Sequence, residues 1–336
     1  MRGSARPGVH PSMSDLTWQP SAPLANLRRR AQILAQIRAH FAAHGVLEVE
    51  TPQLCPATVT DPHLKSIEVA GYGYLQTSPE YAMKRLLAAG SGSIYQIARA
   101  FRAEEVGRRH NPEFTLLEWY RVGFTIDQLI DEVAAVARLA LGEQRSQRHR
   151  YRDLFRTHLG VDPLRCSLAA LRSAATQQID LAFDQADRDT WLDLLMSQVI
   201  EPKLGIDELS FVIDYPPSQA ALARLRTDSD GQAVASRFEL YYHGVELANG
   251  YHELLDADEQ RARFAADLRE RETLGLPPVE PDQQFLAALE CGLPDCSGVA
   301  LGLDRLIMLA VGSDTLHEVM AFPVSHMRQS TPRRSE

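Results

Sequence analysis

A strand–turn–strand pattern in the first third of the chain limits the fold more than any other feature. Residues 93–102 and 113–121 each have the composition of a β-strand, and the polar segment between them contains Gly107 and the pair Asn111-Pro112. Two strands joined by a hairpin are antiparallel neighbours. The pattern therefore predicts an antiparallel β-sheet rather than the alternating βαβ units of a parallel one.

Helical periodicity on both sides of this hairpin predicts an α+β fold, in which helices flank the sheet. Apolar side chains recur on one face of the segment 27–44, which ends at Gly45 and is followed by a predicted strand at 46–50. A second helix is predicted to begin with Ser78 as its N-cap and Pro79 at its first position. The later segments are predicted as a helix at 125–142 capped by Thr125, short helices and loops at 145–235, a strand at 238–251, a helix at 256–274, and a strand leading into a helix at 298–312.

The domain organisation follows from composition along the chain. The 336 residues contain no internal repeat or low-complexity linker within 22–326, which predicts one compact domain there. Residues 1–21 are rich in Pro, Ser and Gly and are predicted to form a flexible tail, and residues 327–336 form a second tail. No apolar run approaches the length of a membrane span, and the N-terminus lacks the apolar region of a signal peptide, so we expect a cytoplasmic protein.

Charge and cysteine content narrow the function classes. The net charge is −9, whereas proteins that grip a nucleic acid usually carry a basic surplus. A nucleic acid is therefore a less favoured main partner, although a local basic patch is compatible with this total. The four cysteines lack the paired spacing of a zinc site, so we expect buried free thiols.

The predicted hairpin also carries residues suited to bind a nucleotide and a cation. Arg102, at a strand end, can clamp a phosphate through paired hydrogen bonds while staying charged. On the return strand, Glu118 and Tyr120 share one face by the two-residue period, so that an acid and a phenol can meet a cationic ligand. Taken alone, these residues are better explained by an exposed charged hairpin with surface ion pairs.

A glycine-rich segment near the C-terminus indicates a second contact with a flat ligand. Small residues alternate in Gly298-Val299-Ala300-Leu301-Gly302, which lets a ligand approach the strand backbone, and Arg305 in the next helix can reach a phosphate. Tight packing of the strand against the helix explains the glycines equally well.

The segment 245–253 contains two carboxylates in a spacing that suits a metal ion. Glu246 and Glu253 lie seven residues apart across a predicted Asn249-Gly250 turn, and Mg²⁺ prefers oxygen ligands that it shares with nucleotide phosphates. Two glutamates are weak support on their own in so acidic a chain. The histidines of these segments (His110, His243 and His252) are interpreted as structural or polar contacts, because no nucleophile–base pair accompanies them.

Together and in this order, these segments resemble the three signature motifs of class II aminoacyl-tRNA synthetases. The segment 27–52 resembles motif 1, which forms the dimer interface in that family, residues 101–114 resemble motif 2, and residues 302–305 resemble motif 3. The resemblance covers about residues 22–326, and the segments 77–80, 117–120 and 246–253 are most similar to the lysyl-tRNA synthetase branch. The resemblance implies the catalytic core of class II synthetases, which is an antiparallel sheet flanked by helices, and it implies a homodimer.

Two departures from that branch indicate a resemblance to the elongation factor P–lysine ligase family. No anticodon-binding domain is expected before the predicted catalytic domain, which begins near residue 22, and Ala300 stands where lysyl-tRNA synthetases have glycine. The segments 246–250 and 294–298 are also similar to that family. The resemblance implies activation of (R)-β-lysine or lysine as its adenylate, with ATP and Mg²⁺, and transfer to a lysine side chain of elongation factor P.

The resemblance also implies a role for each matching residue. Those expected to bind the amino acid are Ser78, Pro79, Glu80, Glu118, Tyr120, Glu253 and Ala300. Those expected to bind ATP are Arg102, Ala103, Glu104, Asn111, Glu246, Leu247, Gly302 and Arg305. Within these sets, the catalytic candidates are Arg102 and Arg305, and the candidate Mg²⁺ ligands are Glu246 and Glu253. Ala103 stands where close relatives often have asparagine, which removes one hydrogen bond.

Three other functions are compatible with parts of this pattern. A minimal enzyme that charges tRNA predicts a basic face, which the net charge of −9 makes less favoured. An inactive regulatory paralogue predicts loss of the motif residues, yet Arg102, Glu246, Glu253 and Arg305 are present. An amide synthetase that uses ammonia does not explain the lysine-like pocket. The sequence does not separate α-lysine from β-lysine as the substrate.

Overall fold

The computed structural model describes residues 18–179 and 187–324 of the chain. The α-helices in these residues are α1 (Leu24–Ala43), α2 (Glu80–Ala88), α3 (Ile126–Leu141), α4 (Tyr151–Leu159), α5 (Leu168–Gln178), α6 (Arg188–Leu195), α7 (Ala257–Thr273), α8 (Gln283–Cys291) and α9 (Leu303–Ala310). The strands are β1 (Leu47–Glu48), β2 (Leu54–Cys55), β3 (Ile67–Val69), β4 (Gly73–Leu75), β5 (Ile94–Phe101), β6 (Glu113–Val122), β7 (Ser146–Arg150), β8 (Leu209–Tyr215), β9 (Leu225–Thr227), β10 (Ala233–Tyr242), β11 (Val245–His252) and β12 (Cys296–Gly302).

The predicted tails fall mostly outside the described residues. Residues 1–17 of the predicted N-terminal tail and all of the predicted C-terminal tail at 327–336 lie outside the described residues. Ser21, the last residue of the predicted N-terminal tail, donates its N–H to the carbonyl of Ala321 at 2.8 Å and its hydroxyl to the carbonyl of Met320 at 2.9 Å. The two ends of the described chain are therefore joined to each other, and the domain limits stay a prediction.

The strands form one large mixed sheet and one small sheet. The large sheet has the order β1-β5-β6-β12-β11-β10-β8-β7, with β9 paired to β10, and the small sheet has the order β2-β4-β3. The pairs β1–β5 and β7–β8 are parallel, and the other pairs are antiparallel. The α+β prediction is confirmed. The two outer pairs differ from the predicted antiparallel arrangement because long connections that contain helices, not hairpins, join their strands.

The predicted hairpin lies inside the large sheet. Strands β5 and β6 pair antiparallel along their length, and β12 lies on the other side of β6. Leu117 and Trp119 of β6 are fully buried in the main core, whereas Glu118 and Tyr120 alternate with them and belong to the other face. The alternation along this one strand therefore separates the core from the functional face.

Three helices cover the core face of the sheet. The side chains of Ile37 in α1, Val133 in α3 and Ile307 in α9 are fully buried in one cluster with the central strands. Helix α3 begins with the predicted Thr125 cap, whose hydroxyl accepts from the N–H of Gln128 at 3.3 Å in a capping box. A second apolar cluster lies under α4–α6, and a third joins α2 and α8 to Tyr120.

Helix α2 begins one residue later than predicted. Pro79 precedes the helix, and Glu80 is the first helical residue. The Ser78 hydroxyl accepts from the N–H of Glu80 at 3.0 Å and donates to Oε2 of Glu118 at 2.7 Å. Ser78 therefore links the start of α2 to the functional face of β6.

The prediction of a single strand at 238–251 is wrong, because this segment belongs to a hairpin of two strands. Strand β10 ends at Tyr242, β11 begins at Val245, and His243 and Gly244 between them have positive φ angles of 49° and 64°. Two successive residues with positive φ are typical of a tight hairpin turn, and glycine adopts this conformation without strain.

The predicted turn at Asn249-Gly250 is also wrong. Both residues lie within β11, where Asn249 is opposite Glu239 and Gly250 is opposite Phe238 in β10. A Cβ atom at Gly250 would lie closer than 3.0 Å to the ring of Phe238. The glycine therefore serves close packing of two strands rather than a turn.

The segment 145–235, predicted as short helices and loops, also contributes strands β7, β8 and β9. Strand β7 has the polar sequence Ser-Gln-Arg-His-Arg, so it offers no apolar alternation for a prediction to detect. Strand β8 is buried along most of its length, and such a short apolar run does not distinguish a strand from a buried helix. Residues 180–186 lie outside the described part of the chain.

Two further sequence expectations concern membranes and thiols. In the described part of the chain, no helix is long and apolar enough to span a membrane. All four cysteines lie in that part and are unpaired. Cys296 is buried as predicted, and Cys55 and Cys166 are partly buried. The prediction of a buried thiol is wrong for Cys291, which is exposed.

Candidate active site

A cavity of about 480 Å³ opens on the functional face of the large sheet. Strands β6, β11 and β12 supply its floor, and side chains from the start of α2, the 102–112 turn and α9 supply its walls. The cavity follows β12 from Gly298, beside Tyr120 and Glu253, to Gly302, beside Arg305. It therefore has two ends of different chemistry, an acidic end and an arginine end.

Most of the predicted site residues line this cavity. They are Ser78, Glu80, Arg102, Asn111, Glu118, Tyr120, Glu246, Leu247, Glu253, Ala300, Gly302 and Arg305. Pro79, Ala103 and Glu104 do not line it. The N–H of Ala103 donates to the carbonyl of Lys65 at 2.7 Å, and the exposed carboxylate of Glu104 pairs with the ammonium of Lys65. The start of the turn therefore contacts the segment that holds Lys65 rather than the cavity.

Glu118 lies at the centre of the acidic end. Its carboxylate accepts from the Ser78 hydroxyl at 2.7 Å and from the Tyr120 hydroxyl at 2.7 Å, and the residue is 1% exposed. Burial, and next the charge of Glu80, raises the pKa of Glu118 to about 8. A cation that enters this end would favour the charged form of the carboxylate.

Lys84, which the sequence analysis did not identify, completes the acidic end from α2. Its Nζ lies 2.6 Å from Oε1 of Glu80 and 2.6 Å from Oε2 of Glu253. Burial alone lowers the pKa of Lys84, but the charges of Glu253 and Glu80 outweigh burial, so the pKa is raised and the side chain stays an ammonium. The four-residue spacing of Glu80 and Lys84 on one helix is the sequence signal that predicts such a pair.

Glu253 has an oxygen left for a ligand. Burial raises the pKa of Glu253 to about 7 although Lys84 opposes the shift, and Oε1 has no hydrogen-bond donor among the described residues. A buried acceptor without a donor is costly, so the site favours a ligand that donates there. When Glu80, Glu118 and Glu253 are ionised, Lys84 leaves two negative charges unbalanced, which suits a ligand with two ammonium groups.

Two arginines define the other end of the cavity. The guanidinium of Arg102 lies 5.0 Å from the ring centroid of Phe114, and its Nη1 lies 3.6 Å from Oε1 of Glu105. Arg305, in the first turn of α9, donates from Nη1 to the carbonyl of Glu246 at 3.1 Å. The side chains of Arg102 and Arg305 are 28% and 25% exposed, so both keep donors available for phosphate oxygens.

His110 orients Arg305, in agreement with its interpretation as a structural or polar contact. Nη2 of Arg305 lies 2.6 Å from Nε2 of His110, and a guanidinium only donates, so this ring nitrogen accepts. Burial, and next the charge of Arg305, lowers the pKa of His110, which favours the neutral ring. The contact therefore restrains Arg305 at the cavity wall, which both side chains line.

Glu246 and Glu253 share one wall of the cavity although an odd spacing separates them. In a regular strand, residues seven apart lie on opposite faces. The pairing of β10 with β11 shifts after Leu240, which makes Leu247 an extra residue in β11. The bulge returns both carboxylates to the cavity face.

The two carboxylates differ as metal ligands. Glu253 is buried and paired with Lys84, whereas the Glu246 side chain is 41% exposed, with Oε2 3.7 Å from Nη1 of Arg305. Within residues 18–179 and 187–324, no group of three or more His, Cys, Asp or Glu side chains could hold a metal ion by itself. The oxygens of Glu246 fit a Mg²⁺ ion that takes its other ligands from a nucleotide. The contacts of Glu253 do not support the predicted ligand role.

Small residues of β12 form the floor between the two ends. Gly298 and Gly302 lie at the acidic and arginine ends, and Ala300 lies between them, opposite Glu118 in β6 and Asn249 in β11. The predicted flat contact surface is therefore present, with one methyl group at its centre.

Comparisons with known proteins identify the family of this chain. The family model of the class II tRNA synthetases (D, K and N) matches residues 14–326. The chain is 52% identical to the elongation factor P–(R)-β-lysine ligase of Yersinia enterocolitica over 320 residues, which cover 92% of this chain and 98% of that protein. Ligases of the same name from Klebsiella pneumoniae and Salmonella dublin are each 50% identical over the same shares of length. The chain therefore belongs to the class II tRNA synthetase family and, within it, to the group of elongation factor P–(R)-β-lysine ligases.

Proposed function

We propose that this chain uses ATP to activate (R)-β-lysine or lysine as its adenylate and transfers the aminoacyl group to a lysine side chain of elongation factor P. The observation that carries the proposal is that one cavity has both an acidic end and an arginine end. A diamino acid fits this arrangement, because its two ammonium groups match the acidic end and its carboxylate can lie near Arg102. The names of the relatives support the same reaction.

In this proposal, the acidic end binds the amino acid. Glu253 and Tyr120 bind the side-chain ammonium, while Glu118 binds the other amino group with Ser78 and Glu80 beside it. An ammonium that leaves water needs a carboxylate partner, since an uncompensated buried charge is prohibitive. The donor-free Oε1 of Glu253 supports this assignment.

The arginine end binds ATP in the same proposal. Arg102 binds the α-phosphate, Arg305 binds the γ-phosphate, and Gly302 lies beneath the adenine, with Asn111 and Leu247 as further contacts. Glu246 is proposed to hold a Mg²⁺ ion, and the partial exposure of its carboxylate supports this role. A bound Mg²⁺ would neutralise phosphate charge.

The chemistry needs no nucleophile from the protein. The substrate carboxylate attacks the α-phosphorus in line, a new P–O bond forms, and the bond to the pyrophosphate breaks. The acceptor amine then attacks the activated carbonyl, so that an amide bond forms, AMP leaves and the amine loses a proton. Arg102 and Arg305 lower the barrier of the first step by positioning the phosphates and by neutralising their charge.

Ala300 is proposed to bias the site between α-lysine and β-lysine. Its methyl group lies on the floor opposite Glu118, where it narrows the space for the backbone of the amino acid. One methyl group changes discrimination by about 1–3 kcal/mol, which biases the choice without excluding either substrate.

We extend the proposal to a homodimer in the cytoplasm. Leu47 and Leu54 lie in the segment that resembles motif 1 or directly after it, and both side chains are exposed. Exposed apolar side chains near a predicted interface support contact with a second copy. The choice of a translation factor as acceptor supports the cytoplasm.

The test is intact-mass analysis of elongation factor P and of bulk tRNA, each incubated with the enzyme, ATP, Mg²⁺ and either α-lysine or (R)-β-lysine. A gain of one lysyl mass on the protein, and none on tRNA, is the expected result. Lysylated tRNA with unmodified protein would instead favour a minimal tRNA-charging enzyme. No product on either, together with no ATP–pyrophosphate exchange, would favour an inactive paralogue.

A further inference from the structure

Lys84 lies under the acidic end of the cavity without lining it. Its side chain is 1% exposed, and its Nζ lies 6.0 Å and 5.7 Å from the ring centroids of Tyr120 and Phe285. A buried ammonium is tolerated only when carboxylates compensate its charge, as Glu80 and Glu253 do here. Because this amine stays protonated, it has no lone pair with which to react. Lys84 is therefore a fixed cation behind the pocket wall and not a catalytic group.

The two carboxylates that Lys84 joins come from different elements. Glu80 is the first residue of α2, and Glu253 directly follows β11. Lys84 contacts one oxygen of each, Oε1 of Glu80 and Oε2 of Glu253. Since a carboxylate is planar and rigid, fixing one oxygen restricts the position of the other.

Neither oxygen of Glu253 accepts a hydrogen bond of normal geometry, but the ammonium of Lys84 lies 2.6 Å from Oε2, whereas Oε1 has no such partner among the described residues. Oε1 lies against Gly298 in the cavity floor and accepts no hydrogen bond from the described residues. In the described part of the chain, Lys84 is the ion-pair partner of the Glu253 carboxylate, whereas Arg224 donates to the backbone carbonyl of Glu253 at 3.0 Å. The ammonium site of the cavity thus depends on a residue that a bound amino acid would not touch.

We propose that Lys84 is a positioning residue that determines specificity for diamino acids. It holds one oxygen of Glu80 and one of Glu253, so that the remaining oxygens receive the ammonium groups of the substrate. This inference rests on the proposed function, because it assumes that the acidic end binds the amino acid.

The test is ATP–pyrophosphate exchange by Lys84→Met, an apolar replacement of similar length, with Arg85→Met on the exposed side of α2 as the matched control. Norleucine, which has the chain of lysine without the distal ammonium, serves as the comparison substrate. The KM for lysine is expected to rise about tenfold or more, which corresponds to the loss of one hydrogen bond to a charged group. The preference for lysine over norleucine is expected to fall by a similar factor, while the KM for ATP stays within about twofold of its value in the unchanged enzyme. In the control variant, the KM values for lysine and for ATP are both expected to stay within about twofold of those of the unchanged enzyme.

A second variant keeps the test decisive if Lys84→Met does not fold. Lys84→Arg keeps the positive charge but replaces the compact ammonium by a planar fork, so it is expected to lose the preference for lysine over norleucine. An unchanged preference in either variant would overturn the proposal. If the KM values for lysine and for ATP rise together and the preference for lysine over norleucine is unchanged, Lys84 has a general structural role instead.

The assay also separates this inference from the proposed function. Exchange measures activation of the amino acid, before any transfer to elongation factor P. Absence of exchange in the unchanged enzyme with both lysine and (R)-β-lysine would refute the proposed function. Normal exchange in the unchanged enzyme, with no effect of the Lys84 variants, would refute only the role of Lys84.

Discussion

Replacement of Gly298 by alanine is expected to damage amino-acid binding while sparing ATP binding. A Cβ atom at this position would lie closer than 3.0 Å to the ring of Tyr120 and to Oε1 of Glu253. These residues are only 2% and 1% exposed, so neither side chain can move into solvent. One or both must leave the wall that we propose binds the side-chain ammonium.

The expected rise in the KM for lysine follows from the free-energy cost of overpacking. An extra methyl group in a well-packed region costs about 1–3 kcal/mol. If this cost falls on the two side chains that contact the ammonium, the KM for lysine rises about 5- to 150-fold, since 1.4 kcal/mol corresponds to a factor of ten. The same strain in the free protein lowers its melting temperature by roughly 1–2 °C for each kcal/mol, because the unfolding entropy of so long a domain is large.

Two other glycines provide matched controls on the same sheet. A Cβ atom at Gly302 would have its closest contact at 3.7 Å, so Gly302→Ala is expected to keep its stability and its KM for lysine while raising the KM for ATP. Gly250 is packed against the ring of Phe238 in the core, so Gly250→Ala is expected to lose stability and to keep both KM values.

The measurements are ATP–pyrophosphate exchange at varied lysine and ATP concentrations, and thermal unfolding of each variant. An unchanged KM for lysine in Gly298→Ala would refute the assignment of this end to the ammonium. An equal rise of both KM values would show that the alanine disturbs the whole cavity rather than one end of it.

Three further predictions concern pH, phosphate binding and the link between α1 and α9. The KM for lysine is expected to fall as the pH rises from about 6 to 9. The reason is that Glu253 and Glu118, with pKa values of about 7 and about 8, bind an ammonium in their ionised forms. The KM for ATP, measured over the same pH range, is the control. Arg102→Lys is expected to slow exchange about 10- to 100-fold, because a lysine cannot replace the two-pronged contact of a guanidinium with phosphate. Arg30→Met removes the partner that lies 2.5 Å from the buried carboxylate of Asp304, and calorimetry is expected to show a loss of about 3–5 kcal/mol; an unchanged melting temperature would refute the importance of this pair.

The elements that were predicted well carry their signals within a single segment. Helix α3 was predicted from apolar periodicity and from Thr125, and its capping box and its end before Gly142 lie where expected. The hairpin of β5 and β6 was predicted because alternation and a polar turn mark both strands. In these cases the local chain and the tertiary fold favour the same structure.

The elements that were missed depend on neighbours distant in sequence. Strand β7 is polar, and its pairing with β8 across more than 50 residues is visible only in the fold. The pair Asn249-Gly250 is a strong turn signal by composition, yet the ring of Phe238 requires a glycine in the strand beside it. Local composition therefore predicted the wrong structure at positions where contacts between strands determine the conformation.

In the site too, the sequence did not reveal which charged residues become neighbours in the fold. Glu246 and Glu253 were predicted as one metal-binding pair from their spacing, and the bulge at Leu247 does bring them to one wall. Their partners then separate their roles, because Lys84 pairs with one carboxylate and Arg305 lies beside the other. An acid fixed to a buried ammonium is suited to select a second ammonium, whereas an exposed acid beside an arginine is suited to nucleotide and metal. The bulge thus brings both acids to the cavity, and the cation next to each one decides what it can bind.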